Sequence, residues 1–235
     1  MSSSLPIYLQ IHDKLKEDIE KGRWAIGDRL PSERELAVHF NVSRMTLRQA
    51  IQTLADEGIL ERKIGSGTYV ARKKVQEKMI GTTSFTQIMV SQNRTPSSKT
   101  VSYFIAKPNS SEQAKLQLSE EDSILRMERI RYADGIPICF EVASIPYFLV
   151  EKYSKSEIST SLYQMLEEKG GYKIGHANQT ISAMLASEQI SEYLEIKRGD
   201  AILRLRQISY LEDGRPFEYV RTQYAGNRFE FYLEK

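Results

Sequence analysis

The chain has 235 residues, of which 40% are hydrophobic and 27% charged, and its net charge is +2. These values are typical of a soluble globular chain with one large or two modest domains, and they exclude a general binder of polyanions. No apolar run approaches the roughly 18 residues of a membrane span, and no secretory signal opens the chain, so we expect no membrane partner. The single cysteine, Cys139, excludes an internal disulfide and favours the cytoplasm.

The first part of the chain predicts three helices. Isoleucine and leucine side chains recur every four positions over residues 7–19, which indicates an amphipathic helix. Ser32 and Glu35 have the spacing of a capping box, which indicates the start of a second helix. Ser43 is a favourable N-cap for a third helix.

A glycine-rich turn follows the third helix. Residues 59–63 and 68–71 have the composition of two strands, and Gly65-Ser66-Gly67 joins them. Two helices joined by a tight turn, with a hairpin beyond them, make a winged helix-turn-helix, which places side chains against base edges in DNA. We therefore predict a DNA-binding domain over residues 1–71.

The polar side chains around the third helix are the candidates for DNA contact. An arginine can bond O6 and N7 of guanine together, while a serine N-cap and free helix amides suit a phosphate. Glycine in the wing lets the backbone approach the minor groove. The candidate DNA-binding residues are Arg34, Ser43, Arg44, Thr46, Arg48, Gln49 and Gly67. For any one arginine taken alone, a solvated surface position is the alternative.

Beyond this domain the sequence changes character. Residues 72–79 are polar and are predicted to form a linker, and residues 80–235 are predicted to form a second domain. The pairs Asp134-Gly135 and Asp213-Gly214 are hairpin signals between strand-like runs. Helical patches lie near residues 84–90, 111–116, 161–168 and 187–194. We therefore predict an α+β fold, with helices on one side of an antiparallel sheet in the second domain.

Two features of the second domain point to an anion site. Alternation along a strand over residues 123–132 places Arg129 and Arg131 on the same face as two apolar residues. Their charge-assisted hydrogen bonds could converge on a phosphate. Ser84 and Gln87 repeat the capping-box spacing, and the amides at a helix N-terminus suit the same anion.

On these motifs, residues 6–71 resemble the N-terminal domain of the GntR family of bacterial transcription regulators. The remainder, from about Ile80 to Lys235, resembles the UTRA sensing domain of the histidine-utilisation-repressor branch, which is similar in fold to chorismate lyase. Within that branch the chain most resembles repressors of N-acetylglucosamine use, which respond to glucosamine-6-phosphate or its N-acetyl form. The resemblance implies a homodimer on an inverted-repeat operator, with the residues matching Arg34, Arg44, Arg48 and Gly67 in contact with double-stranded DNA.

The resemblance also implies an effector site. It places Thr83, Ser84, Phe85, Arg129 and Arg131 around a sugar phosphate. It places Glu141, Ser161, Tyr163, Glu218 and Tyr224 near the sugar hydroxyl or amino groups.

Each of these assignments has an alternative. Arg129 and Glu141 could form a cross-strand ion pair without a ligand, and Glu218 could pair with Arg221 or Arg228. Tyr224 could serve only in packing.

The function has alternatives as well. The effector could be a different anionic metabolite, such as an amino-acid derivative, a fatty acid or a phosphonate. An enzyme carrying a DNA-binding domain is a further alternative, although no Ser/His/Asp or Cys/His arrangement is evident. The three histidines lack ligand spacing, so no metal site is expected. We therefore predict a cytoplasmic repressor of amino-sugar or carbohydrate utilisation genes, without catalytic activity or cofactor, that a sugar phosphate releases from DNA.

Overall fold

The computed structural model describes residues 5–63, 65–79 and 83–234. The chain divides into two compact units, of which the first ends at Lys73 and the second begins at Lys74. The predicted domain limits at residues 1, 80 and 235 lie outside the described residues.

Three helices and a hairpin form the first unit, as predicted. They are α1 (Ile7–Glu20), α2 (Glu33–His39), α3 (Arg44–Asp56), β1 (Leu60–Lys63) and β2 (Gly67–Val70), with β1 and β2 antiparallel. Both N-caps are confirmed: Ser32 and Glu35 form the full capping box, and the Ser43 hydroxyl accepts a hydrogen bond from the backbone N–H of Thr46. Such caps satisfy amides that the first helical turn leaves without a partner.

One apolar cluster holds the first unit together. Leu15 of α1 and Leu47 and Leu54 of α3 are fully buried, and Leu60 and Val70 of the hairpin pack against them. The four-residue spacing along α1 therefore places Ile11, Leu15 and Ile19 against the core, whereas Ile7 at the start of the helix is exposed.

The second unit is built on a six-stranded antiparallel sheet with the order β4-β5-β6-β9-β8-β7. The strands are β4 (Pro96–Ala106), β5 (Ile124–Ala133), β6 (Ile136–Pro146), β7 (Ile174–Leu185), β8 (Ala201–Leu211) and β9 (Pro216–Ala225). A separate pair, β3 (Val75–Lys78) and β10 (Phe229–Tyr232), is parallel. The helices are α4 (Phe85–Ser91), α5 (Ser110–Leu116), α6 (Lys155–Thr160), α7 (Leu162–Glu168) and α8 (Glu188–Leu194), with a 3₁₀ turn at Tyr147–Leu149.

The two predicted hairpins are β5–β6 and β8–β9. Asp134 and Gly135 both have positive φ, at 53° and 77°, which is the backbone that a tight two-residue turn of this kind requires. The returning strands β6 and β9 pair with each other in the centre of the sheet. This pairing brings side chains from both hairpins onto one surface, and the α+β class is confirmed.

Helices cover both faces of the sheet, so the prediction of helices on one side is wrong. Helices α6 and α7 pack against Leu125 and Met127 of β5, whereas α8 packs against Ile130 of β5 and Phe140 of β6. Buried apolar side chains occur at both odd and even positions of β5, so both faces of the sheet are packed against other elements.

The prediction of a linker over residues 72–79 is wrong for Val75–Lys78. These residues form β3, in which Val75 is fully buried and Glu77 is 6% exposed. Their partner strand β10 lies about 150 positions further along the chain, so local composition carried no sign of the pairing. No helix among the described residues is long and apolar enough to cross a membrane.

Candidate nucleic-acid interface and ligand cleft

The predicted DNA-binding side chains lie on α2, α3 and the hairpin of the first unit. Arg34, Arg44, Arg48 and Gln49 are exposed, and Thr46 is half-buried. The Ser43 hydroxyl accepts the Thr46 N–H at 3.1 Å and lies 2.9 Å from the Thr46 hydroxyl. Both hydroxyls therefore stabilise the start of α3. Ser43 is itself exposed, so it stays a candidate for DNA contact together with the exposed arginines and Gln49.

Glu33 organises two arginines on this surface. Its Oε2 accepts hydrogen bonds from Nε and Nη2 of Arg48, each at 3.2 Å, and Arg62 of β1 donates to the same carboxylate. Arg62 also donates to Gln52 Oε1 at 3.0 Å. Nothing in the local sequence marks Arg62 as part of this surface, because its partners Glu33 and Gln52 lie 29 and 10 positions away.

Gly67 has a conformational and a packing reason to be glycine. Its φ is +131°, and a Cβ at this position would lie 2.7 Å from Nε of Arg29. Arg29 is therefore a basic side chain directly beside the hairpin turn, which its position in the sequence did not indicate.

In the second unit, one cleft contains every predicted effector residue. The cleft is lined by Thr83, Ser84, Phe85, Arg129, Arg131, Glu141, Ser161, Tyr163, Glu218 and Tyr224. The start of α4, strands β5, β6 and β9, and the start of α7 supply these side chains. The structure also places Glu77, Thr86, Gln207 and Thr222 in the lining, and none of these was predicted from the sequence.

Arg131 lies at the α4 side of the cleft. It is 5% exposed, its Nη2 donates to Thr86 Oγ1 at 3.2 Å, and its guanidinium lies 4.6 Å from the centre of the Phe85 ring. Ser84 and Gln87 form the predicted capping box that orients this end of α4. Within the described residues, Nε of Arg131 has no hydrogen-bond partner. Burial, followed by the charge of Arg129, lowers the pKa of Arg131.

Arg129 and Glu141 form a buried ion pair, which is the arrangement that the sequence left open as an alternative. Arg129 Nε donates to Glu141 Oε1 at 3.0 Å, and its Nη1 donates to the Ser159 carbonyl at 2.9 Å. Burial opposes ionisation of Glu141, but the charges of Arg129 and Arg131 outweigh it, so the pKa of Glu141 lies below its usual value. Glu141 therefore stays a carboxylate between two cations.

Glu218 belongs to a network of hydroxyl and amide groups. Tyr163 donates to Glu218 Oε2 at 2.8 Å, and Ser209 lies 3.4 Å from the same oxygen. Gln207 in turn donates to Tyr163 and Ser209 at 3.1 and 2.9 Å. These partners stand in place of the Arg221 or Arg228 pairing that the sequence left open. Burial, and then the nearby charge of Glu141, raises the pKa of Glu218 to about 7.

Tyr224 and Cys139 are packed in the core beside the cleft. The Tyr224 ring stacks on Phe229 with centroids 3.8 Å apart, and the residue lines the cleft. Cys139 is buried, and burial raises the pKa of its thiol well above the usual value, so it is an unreactive core residue. Among the described residues, no group of three or more acidic, histidine or cysteine side chains is arranged to hold a metal ion.

Comparison with known proteins identifies the same two parts. Residues 7–70 match the bacterial regulatory proteins of the gntR family, and residues 91–230 match the UTRA domain. The chain is 35% identical to the HTH-type transcriptional repressor NagR of Bacillus subtilis, over 97% of this chain and 94% of that protein. It is 32% identical to the mannosyl-D-glycerate transport/metabolism system repressor MngR of Escherichia coli, over 97% and 95%. A solved GntR-family regulator from Enterococcus faecalis is 78% identical, with a TM-score of 0.57, over 59% of this chain and 100% of that one.

Proposed function

The chain belongs to the GntR family of bacterial regulatory proteins and carries a UTRA domain, and on this premise we propose that it represses genes for amino-sugar or carbohydrate use until a phosphorylated sugar such as glucosamine-6-phosphate binds. It is a DNA-binding transcription regulator and not an enzyme, because both matched domains are regulatory domains. The family resemblance seen in the sequence is thus confirmed.

The bonding of Arg131 is the observation that best supports a phosphorylated effector. A guanidinium that is 5% exposed and has an Nε without a hydrogen-bond partner among the described residues is costly unless an anion completes its bonding. Thr86 and Phe85 hold this group at the cleft, and Arg129 adds a second cation. A phosphate accepts several charge-assisted hydrogen bonds, so it suits this end of the cleft.

The rest of the lining supports a polar ligand body. Glu218, Tyr163 and Gln207 offer both acceptors and donors, as sugar hydroxyl or amino groups require. A fatty acid would need an apolar pocket, and this lining does not fit one. Both named relatives are repressors, and the name of MngR refers to the use of a sugar derivative.

We further infer a homodimer that acts on an inverted-repeat operator in the cytoplasm, where bacterial DNA lies. A dimer doubles the contacts of a short recognition helix and makes the symmetry of the operator match that of the protein. The effector would release DNA because it binds more tightly to the arrangement of the dimer that cannot bind the operator. A ligand with equal affinity for both arrangements would leave the equilibrium between them unchanged.

A titration of the full chain on a fluorescent operator fragment tests this function. We expect glucosamine-6-phosphate to weaken operator binding, whereas glucosamine and inorganic phosphate, each lacking half of the ligand, have little effect at the same concentration. Unchanged operator affinity in the presence of glucosamine-6-phosphate would contradict the named effector.

A further inference from the structure

Glu77 is a buried carboxyl group that lines the cleft without a counter-charge of its own among the described residues. It lies on β3 and is 6% exposed. Its side chain lines the same cleft as Arg131 and Glu218. Within the described residues its Oε2 has no hydrogen-bond partner, and the buried carboxyl forms no ion pair.

The surroundings of Glu77 differ from those of Glu141. Glu141 is ionised beside two arginines, whereas Glu77 lies beside the neutral side chains of Gln179 and Tyr224. Burial raises the pKa of Glu77 to about 7, and hydrogen bonding from Gln179 and Tyr224 opposes this rise only in part. The ionised form of a carboxyl group buried to this extent is costly unless a partner completes its hydrogen bonds.

We propose that Glu77 is a ligand-binding residue that selects a protonated amino group on the effector, an inference that rests on the proposed sugar-phosphate function. Arg131 enters the cleft from β5, and Glu77 enters it beside Tyr224 of β9 and Gln179 of β7. One ligand with an anionic end and a cationic end can therefore contact both side chains. The resulting charge-assisted hydrogen bond is roughly twice as strong as the neutral bond that a hydroxyl would form.

The position of Glu77 in the chain gives this contact a regulatory meaning. Glu77 is four residues beyond Lys73, where the first unit ends. Its strand pairs with β10, and the Gln92 side chain also hydrogen-bonds the backbone of the preceding residue, Gln76. A ligand that binds Glu77 therefore also fixes the strand that directly follows the DNA-binding unit.

Isothermal titration of the full chain with two ligands tests the proposal. Glucosamine-6-phosphate carries the amine, and glucose-6-phosphate carries a hydroxyl in its place. We expect wild type to bind the amino sugar phosphate more tightly, and Glu77→Gln to weaken that ligand by about tenfold or more while changing glucose-6-phosphate binding by less than about twofold. The matched control Glu128→Gln replaces a half-buried acid on the opposite face of β5 and should change neither affinity.

Four results would overturn the proposal, and those that leave the proposed effector class intact are distinguishable from the one that does not. Equal losses for both ligands in Glu77→Gln, or no loss for either, would remove Glu77 from amine selection while leaving the sugar-phosphate function intact. If wild type binds glucose-6-phosphate as tightly as glucosamine-6-phosphate, amine selection is also excluded. This comparison needs no variant, so it holds even if Glu77→Gln fails to fold. Wild type that binds neither ligand would overturn the proposed effector class together with this inference.

Discussion

Arg129 and Glu141 face each other directly across β5 and β6, and Arg129 Nε donates to Glu141 Oε1 at 3.0 Å where both side chains are buried. The pair does two things for the cleft. It holds Arg129 in a fixed position, and it supplies Glu141 with a counter-charge, while Nε of the neighbouring Arg131 has no hydrogen-bond partner among the described residues.

We expect Arg129→Ala to destabilise the second unit by about 3 kcal/mol, because it leaves a buried carboxylate with only the more distant Arg131 as a counter-charge. Replacing both partners, as Arg129→Met with Glu141→Leu, should restore much of this loss, since no buried charge of the pair then remains. Urea unfolding followed by circular dichroism measures both. If the free energy of unfolding of Arg129→Ala lies within about 0.5 kcal/mol of wild type, the ion pair contributes little to stability.

We expect Arg131→Ala to abolish release from the operator by the phosphorylated ligand and to leave operator binding without ligand intact. The physical reason is that this variant removes the guanidinium with open bonding capacity, and Arg131 lies outside the first unit. The exposed Arg221→Ala on β9 is the matched control. Release that persists in Arg131→Ala, measured by fluorescence anisotropy, would mean that the anion binds elsewhere.

Arg44→Ala should weaken operator binding by about 1–3 kcal/mol, since a bidentate contact with guanine has roughly that value. Arg44 is exposed at the first position of α3, so little stability should be lost. The exposed Lys21→Ala at the end of α1 serves as the control for loss of charge alone. Equal weakening in both variants would indicate that Arg44 contributes charge and no base contact, and effector affinity should be unchanged in either.

The buried Glu218 predicts a pH dependence of stability. Its pKa is raised from 4.5 to about 7, so the folded state holds its proton more tightly than the unfolded state does. The resulting stabilisation is fully present below pH 4.5 and is lost as the pH rises through 7, by up to about 3 kcal/mol. Glu218→Gln removes this loss, so the stability of wild type relative to the variant should fall between pH 5 and pH 8 in urea titrations. A constant difference across that range would contradict the raised pKa.

Short-range patterns carried much of the prediction. The capping boxes at Ser32 and Ser84 depend on residues three positions apart, and the turn at Asp134-Gly135 depends on two neighbours. The placement of Arg129 and Arg131 on one face needed only strand alternation. Strands β4 and β7 went unnoticed. They lie at the two edges of the sheet, and each mixes apolar and polar residues with no fully buried position, so the pattern of a core strand is weak in both.

The sequence by itself determined the class of the protein, since helix caps, the glycine turn and the arginines of α3 are local features that specify a winged helix-turn-helix. The tertiary structure alone decided which side chains meet. Gln76 and Glu230 are 154 positions apart and hydrogen-bonded, and the pairing of their strands turned a predicted linker into the strand that carries Glu77 into the cleft. The reason is physical: local propensity acts over a few residues, whereas the burial of Glu77 depends on contacts between segments far apart in the chain.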